Sequence, residues 1–287
     1  METDKPIEKE QQVIEDELKK SADSNPESSK SHGKILAEQL LEASETYKRS
    51  TAGTFYSSLI AGLEIGFSYL LLCTVFNFFS PRHSEAVVFK LMALVYPAGF
   101  ILVVLGKSLL FTEQTSLLSL PFFHGKESIV SLLKLWGTVI AGNMLGGFVI
   151  SFVLLWIGPQ LHIFNKQDVE KIAVHISSFS GEVIFASGIL AGWLMGLLSW
   201  LLTSTKDTIS KIVIIALITS IMSFTNLHHS IIGNIEIFSG LISSSKITFS
   251  NYLLFQTMAL SGNAIGGFVF VGLFKYRSFT AGLFNNN

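Results

Sequence analysis

Two stretches of this chain nearly repeat one another. Gly142-Asn143-Met144-Leu145-Gly146-Gly147-Phe148-Val149 and Gly262-Asn263-Ala264-Ile265-Gly266-Gly267-Phe268-Val269 agree at six of eight positions. A fainter echo accompanies them, Ala61-Gly62-x-x-x-Gly66 against Ala191-Gly192-x-x-x-Gly196. All four copies lie in long apolar runs, so the chain reads as two homologous halves embedded in lipid, a plan shared by many pores and transporters. Composition agrees. Only 14% of residues are charged and 49% are hydrophobic, whereas a soluble domain carries about 25% charged residues. A net charge of −1 gives no electrostatic basis for binding nucleic acid.

Charge concentrates at one end. Residues 1–34 hold nine acidic and six basic side chains, and are expected to form a polar, disordered cytoplasmic tail. No apolar core follows the first basic residues, so no cleavable signal peptide is expected. Residues 35–50 carry apolar side chains at helical spacing and predict an amphipathic helix on the membrane or against neighbouring subunits. A pore domain is expected over 51–276 and a short tail over 277–287. The single cysteine, Cys73, sits in an apolar run and reads as packing.

A transmembrane helix needs about 20 apolar residues to cross roughly 30 Å of hydrocarbon. Ser57–Phe79, Ile129–Ile157, Val183–Leu202 and Tyr252–Phe274 fit one span each. Val87–Phe123 and Lys211–Ile242 are too long for one span and too short for two. Each contains a polar interruption, Gly106-Lys107-Ser108 with Phe111-Thr112-Glu113-Gln114-Thr115 in the first, and Thr225-Asn226-Leu227-His228-His229-Ser230 in the second. Lipid tolerates an interrupted helix only where protein or a cavity covers the freed backbone. The reading is therefore an all-α membrane protein of six transmembrane helices with spans 2 and 5 broken. Three spans per half is an odd number, so the two repeats must be inverted. The echoes lie 130 and 120 residues apart, a difference assigned to a longer loop around Ser80–Glu85.

With both termini cytoplasmic, Lys48, Arg49, Lys126, Lys206, Lys211, Lys275 and Arg277 lie inside, against Arg82, Lys166, Lys171 and Lys246 outside, the expected sign of bias. Half-helices starting near Thr112 and Ser230 would aim two positive helix ends at the membrane centre, with Ser and Thr as caps. His229 would meet a passing anion there and make transport pH-sensitive. Asn143 and Asn263, each beside a small glycine face, are placed to donate to carbonyls freed by a broken neighbour. Glu64, Lys107, Glu113, Glu182 and Glu236 are charged residues in apolar surroundings, with Lys107 pairing Glu113 or Glu236. Trp136, Trp156, Trp193 and Trp200 read as interfacial anchors or core. No catalytic pattern or metal-ligand cluster stands out, so no enzyme activity, cofactor or metal is expected.

Leu110-Phe111-Thr112, His229-Ser230 and Gly262-Asn263-x-x-Gly266-Gly267 resemble the formate/nitrite transporter family over roughly residues 35–275. Phe111-Thr112-Glu113-x-Thr115, Leu135-Trp136-Gly137 and Gly233-x-x-Glu236-Ile237 look like its YfdC-type branch. The resemblance implies an aquaporin-like protomer in a homopentamer of the cell membrane, conducting small monovalent anions or their conjugate weak acids. It implies that Thr112, His229 and Asn263 line the pore with Ser230, and that Leu110 and Phe111 form an apolar constriction. Lys107, Glu113, Asn143, His228 and Glu236 are further pore-associated candidates. The vestibule lysine of the family's formate channels falls near Ile176 here, and the nearest basic residues are Lys171 and His175. Two other readings stay open, a neutral-solute pore of the aquaporin type, against which the missing Asn-Pro-Ala argues, and a non-transporting scaffold or sensor.

Overall fold

Apolar side chains spaced without a polar face leave the backbone to satisfy itself, which only helices or closed barrels achieve in lipid. The computed structural model describes residues 30–284 and, before them, Asp16 alone. Among the described residues every regular element is a helix: α1 (His32–Lys48), α2 (Thr51–Phe79), α3 (Glu85–Met92), α4 (Pro97–Leu105), α5 (Phe111–Phe123), α6 (Ile129–Gln160), α7 (Lys166–Ser177), α8 (Gly181–Ser204), α9 (Thr208–Phe224), α10 (Ser230–Ser243), α11 (Phe249–Ile265), a π-helical segment (Gly266–Leu273) and α12 (Phe274–Phe284). Five runs among them are long and apolar enough to cross a membrane: Thr51–Phe79, Glu85–Leu105, Ile129–Gln160, Gly181–Ser204 and Phe249–Thr280. α9 and α10 are shorter apolar pieces on either side of the second interruption.

The two halves correspond element by element. α2 packs along α6 as α8 packs along α11. The interruptions end at Phe111 and Ser230, 119 residues apart, while the first helices of the halves start 130 apart. The eleven extra residues of the first half are not all in a loop, contrary to the sequence reading. Five lengthen α2, which has 29 residues against 24 in α8. Two lengthen the connection that follows, and four lengthen the helical run before the interruption. That run carries its own irregularity at Pro97, which cannot donate a backbone hydrogen bond. Ser68 of α2 repairs it, donating to Tyr96 O (2.6 Å) and accepting from Gly99 N (2.8 Å).

Three further boundaries differ from the sequence reading. The amphipathic helix starts at His32 rather than 35, so most of the polar tail, and any order in it, lies outside the described residues. The chain remains helical through Phe284 where a tail was expected from 277. The last span is not one regular helix, because its middle widens into the π-helical turn where Gly267 and Gly272 bring it against Thr115 and Ser119 of α5. Nor is α1 simply a surface helix. Its apolar stripe, Leu36, Ala37 and Leu40, packs on Leu120, Trp200 and Tyr276 of the same chain. Gln39 Nε2 donates to Ser199 O (3.0 Å) and Tyr47 OH to Leu118 O (2.9 Å), anchoring the helix across α8 and α5.

The repeated glycines explain the close packing. A Cβ on Gly62 would strike the Asn143 carbonyl and lie 3.0 Å from the Gly146 Cα, and one on Gly192 would strike the Asn263 carbonyl. Likewise a Cβ on Gly146 would meet Leu59 O, and one on Gly266 Ile189 O, 130 residues further on. Forcing extra carbon into such contacts costs about 1–3 kcal/mol. Cys73, buried and the only cysteine, reports unfolding when a thiol-reactive dye reaches it. On that assay Gly146→Val should lower the unfolding temperature by several degrees, whereas Gly137→Ala on the same helix, with nothing within 4 Å of the added carbon, should leave it unchanged. Equal effects of the two would refute the packing account.

Candidate functional site

Interrupting a helix in lipid frees amides and carbonyls that the solvent there cannot bond. Both interruptions open with the same backbone. α4 closes with Ser108 N donating to Val103 O (3.0 Å), and α9 with Leu227 N donating to Met222 O (2.9 Å). The turning residues are Lys107 at φ 59° and Asn226 at φ 56°. This six-to-one closure with a left-handed residue is the Schellman motif. Asparagine tolerates that conformation, and a lysine is held in it only by its surroundings.

Each helix then restarts under the hold of an asparagine from a neighbouring span. Asn143 Oδ1 accepts from Phe111 N (2.8 Å), while its Nδ2 donates to Leu109 O (2.8 Å) and Ser58 O (2.7 Å). Asn263 Oδ1 accepts from Ser230 N (2.8 Å), while its Nδ2 donates to His228 O (3.0 Å) and Gly188 O (2.8 Å). Both side chains are fully buried. Each carboxamide thus spends both protons and its oxygen on joining three chain segments. The asparagines serve the freed carbonyls as their spacing suggested, and they form the wall behind the site.

The caps are not where hydroxyl chemistry placed them. Thr112 and Ser230 lie inside their helices, and the cap residues are Leu110 and His229. The asparagines already accept the first amide of each restart, so no hydroxyl is needed there. Ser230 Oγ is buried without a hydrogen-bond partner among the described residues. Leu110 offers α5 no side-chain acceptor. His229 Nδ1 accepts from Ile231 N (3.3 Å) and Ile232 N (3.4 Å).

The two restarts meet through Thr112 Oγ1 and His229 Nε2, 2.6 Å apart. Because Nδ1 is an acceptor, the proton of the neutral ring sits on Nε2 and is donated to Thr112. Thr112 keeps its own hydroxyl proton as a donor. Phe100 meets the imidazole edge-on at 5.2 Å and Trp136 meets Phe111 edge-on at 5.6 Å. Leu110 and Phe111 are buried beside them.

A cavity lies on each side. One of about 440 Å³ sits under α1 and reaches Leu109 and Glu113. Lys30, Arg49, Lys107 and Lys211 line it against Glu38, Glu42, Glu45 and Glu113, so its charges balance. The other, about 50 Å³, faces α7 and reaches His229 itself, with His228, Glu236, His175 and Tyr96 in its wall and no lysine or arginine. His228 Nε2 donates to Ile176 O (3.2 Å) and its Nδ1 bonds the Ser187 hydroxyl, tying the break to α7 and α8. Lys107 pairs with neither Glu113 nor Glu236. It is exposed, 3.7 Å from Glu42 of α1, because its left-handed turn points it into the larger cavity. Glu182 is exposed at the start of α8.

Residues 34–277 match the family model described as Formate/nitrite transporter. The chain belongs to the formate/nitrite transporter family. The inner membrane protein YfdC of Escherichia coli is 30% identical over 232 residues, covering 78% of this chain and 71% of the relative. A solved FNT family ion channel superposes with a TM-score of 0.76 at 22% identity, covering 85% of this chain and 98% of that one. A pentameric formate channel with formate bound gives 0.69 at 22% identity, covering 80% and 97%. These likenesses show a shared all-α, aquaporin-like fold, and proteins of this family are channels and transporters rather than enzymes.

In this family member, Phe100, Ser187 and Asn226 touch or frame the site although the sequence pattern does not single them out, and Trp136 packs on Phe111 rather than serving only as an anchor. Trp136 lies in the Leu135-Trp136-Gly137 motif, and Asn226 in the interruption itself, which were the available signals. Phe100 and Ser187 carry none, being ordinary residues of apolar runs. Losing either asparagine would leave unpaired a buried amide and the carbonyl of the interruption, Leu109 O or His228 O, at about 1–3 kcal/mol per group. Asn143→Leu and Asn263→Leu should therefore each lower the dye-reported unfolding temperature, by similar amounts and by more than Thr112→Val. A large difference between the two asparagines would show that the repeats are not equivalent supports.

Proposed function

We propose that this chain is a transmembrane channel or proton-coupled carrier for small monovalent anions or their conjugate weak acids, of the formate and nitrite type. The observation that carries the reading is the hydrogen bond between Thr112 and His229 at the junction of two helix starts. Two N-terminal helix ends bring partial positive charge to one point without a formal cation. They attract an anion yet do not trap it.

The apolar residues Leu110 and Phe111 beside that point make passage of a bare charge costly. The solute therefore crosses the constriction as the neutral acid, accepting a hydrogen bond from the Thr112 hydroxyl that His229 orients. Ser230 and Asn263 back this contact, and Asn143 backs the other side. Lys107 and Glu113 stand in one vestibule, His228 and Glu236 in the other. His229 makes the flux pH-dependent. Its neutral ring holds the α10 cap through Nδ1, and a proton on Nδ1 would set three donors against one another and break that cap.

The bias of flanking basic residues supports cytoplasmic termini. Likeness to a pentameric formate channel and to an inner membrane protein supports a homopentamer in the cell membrane. Proteoliposomes challenged with formate, nitrite, acetate, hydrosulfide and glycerol provide the test. The weak-acid salts should permeate, faster as the outer pH falls until a proton on His229 breaks its cap and the rate drops, and glycerol should not. His229→Phe should cut the rate by at least about tenfold and flatten its pH dependence. Weak-acid flux indifferent both to pH and to His229→Phe would defeat the proposal.

A further inference from the structure

Two acids flank the constriction without a task so far, Glu236 buried and Glu113 half-buried. Glu236 is only 7% exposed, yet its carboxyl makes no hydrogen bond or ion pair with any described residue, and it lines the cavity that ends at His229. It stands seven residues beyond His229 on α10, two turns on, and therefore on the same helix face. Glu113 follows Thr112 directly and lines the opposite cavity, held by Gln114 Nε2 at 2.5 Å. The arrangement is thus carboxyl, constriction, carboxyl along one path.

Such placement is hard to explain as structure. A structural acid in a membrane protein is paired or bonded, and no lysine or arginine lines the cavity of Glu236. The titratable groups around Glu236 are Tyr69 and Cys73 of α2, Tyr96 before α4, the two histidines of the break, and His175 of α7. Tyr252 of α11 bonds Asn234 instead, and α6 presents no titratable group there, its Lys134 lying by Thr51. Of the other charged residues of α7, Lys166 is exposed and outside that cavity, and the rest have partners of their own. Lys171 pairs with Glu85, Glu170 with Lys246, and Asp168 with Asn77. Around Glu113 the facing charges are Glu42 of α1 and Lys107 of the break.

We propose that Glu236 and Glu113 are the proton-exchanging residues of the pathway, one on each side of the Thr112–His229 junction. This rests on the weak-acid reading. An anion entering from the α7 side takes the carboxyl proton of Glu236, forming the neutral acid and leaving a carboxylate that regains a proton from cavity water. Past the constriction the acid gives its proton to the Glu113 carboxylate and leaves as the anion, and Glu113 releases the proton to water on the α1 side. Each turnover moves one anion and one proton, and nothing is oxidised or reduced.

Glu236→Gln keeps shape and removes the exchangeable proton. In proteoliposomes with a trapped pH dye and a formate gradient, it should slow formate-driven acidification about tenfold at neutral outer pH. It should have little effect well below neutrality, where bulk water supplies the acid. Glu236→Asp should keep the wild-type pH profile, and Glu113→Gln should reproduce the defect for flux in the opposite direction. Dye protection of Cys73 confirms folding in each variant, and the two glutamines test the idea independently. A Glu236→Gln profile superimposed on wild type, or scaled down equally at every pH as a structural role would give, overturns the proposal while leaving the channel reading intact. Wild-type protein that moves neither formate nor nitrite overturns both.

Discussion

Every feature of this molecule's centre depends on satisfying backbone polar groups where no water reaches. A continuous helix does so alone, but a continuous helix offers a passing solute nothing polar. Breaking two helices supplies amides at the centre and creates a debt of unpaired groups in the same act. Two buried asparagines discharge it. Each bonds the first amide of the restarted helix, the carbonyl two residues before it, and a carbonyl of the adjoining span. Because every bonding group of the side chain is used except one lone pair, neither asparagine can swing away without leaving several buried groups unpaired.

That reach is possible only because the spans approach at glycine-to-backbone distance. The Ser58 carbonyl meets Asn143 because Gly142 and Gly146 let α6 lie against α2, and Gly62 lets α2 accept the Asn143 backbone. The second half repeats the device with Gly262, Gly266 and Gly192 around Asn263. The duplicated motif is therefore one mechanical unit, in which glycines set the distance and the asparagine uses it. This changes the weight of Asn263. Its Nδ2 is fully engaged with carbonyls, so its contribution to passage is the position of Ser230 and His229, which it fixes.

The architecture was readable because hydropathy, interruption and duplication are properties of the chain itself. Segments too long for one span and too short for two announced the breaks, and the duplicated glycine–asparagine motif announced two corresponding halves. The restarts at Phe111 and Ser230 fall within a residue of where the sequence placed them. The caps were not readable, because cap preferences describe what a helix end does for itself, and here another span supplies the acceptor. A histidine cap follows from no local rule at all. Phe100 beside His229 was invisible for a similar reason, since nothing local distinguishes it from the other phenylalanines of the apolar runs. The docking of α1 escaped too. An amphipathic stripe says that a helix must cover something apolar, and leaves open whether that is lipid, a neighbour or its own chain.

The duplicated fold holds one site rather than two because its halves differ at the helix caps. Superposing the halves by their asparagines places Leu110 opposite His229, both at the cap, 119 residues apart. The backbone around them is nearly the same, including the left-handed Lys107 and Asn226 that precede them. A histidine in both positions would put two rings at one junction, each needing its Nδ1 for a cap and both offering Nε2–H, so that two donors would face one another. A leucine in both would leave a sealed apolar plug. With one of each, the histidine finds an acceptor in Thr112, which the leucine-capped helix provides two residues further on. The leucine in turn offers no cap to the α5 amides beyond Phe111 N, which Asn143 holds, and first-turn amides have no acceptor within their own helix. The repeat supplies the correspondence that brings two helix starts together, and the difference at a single position per half makes their junction apolar on one side and hydrogen-bonding on the other.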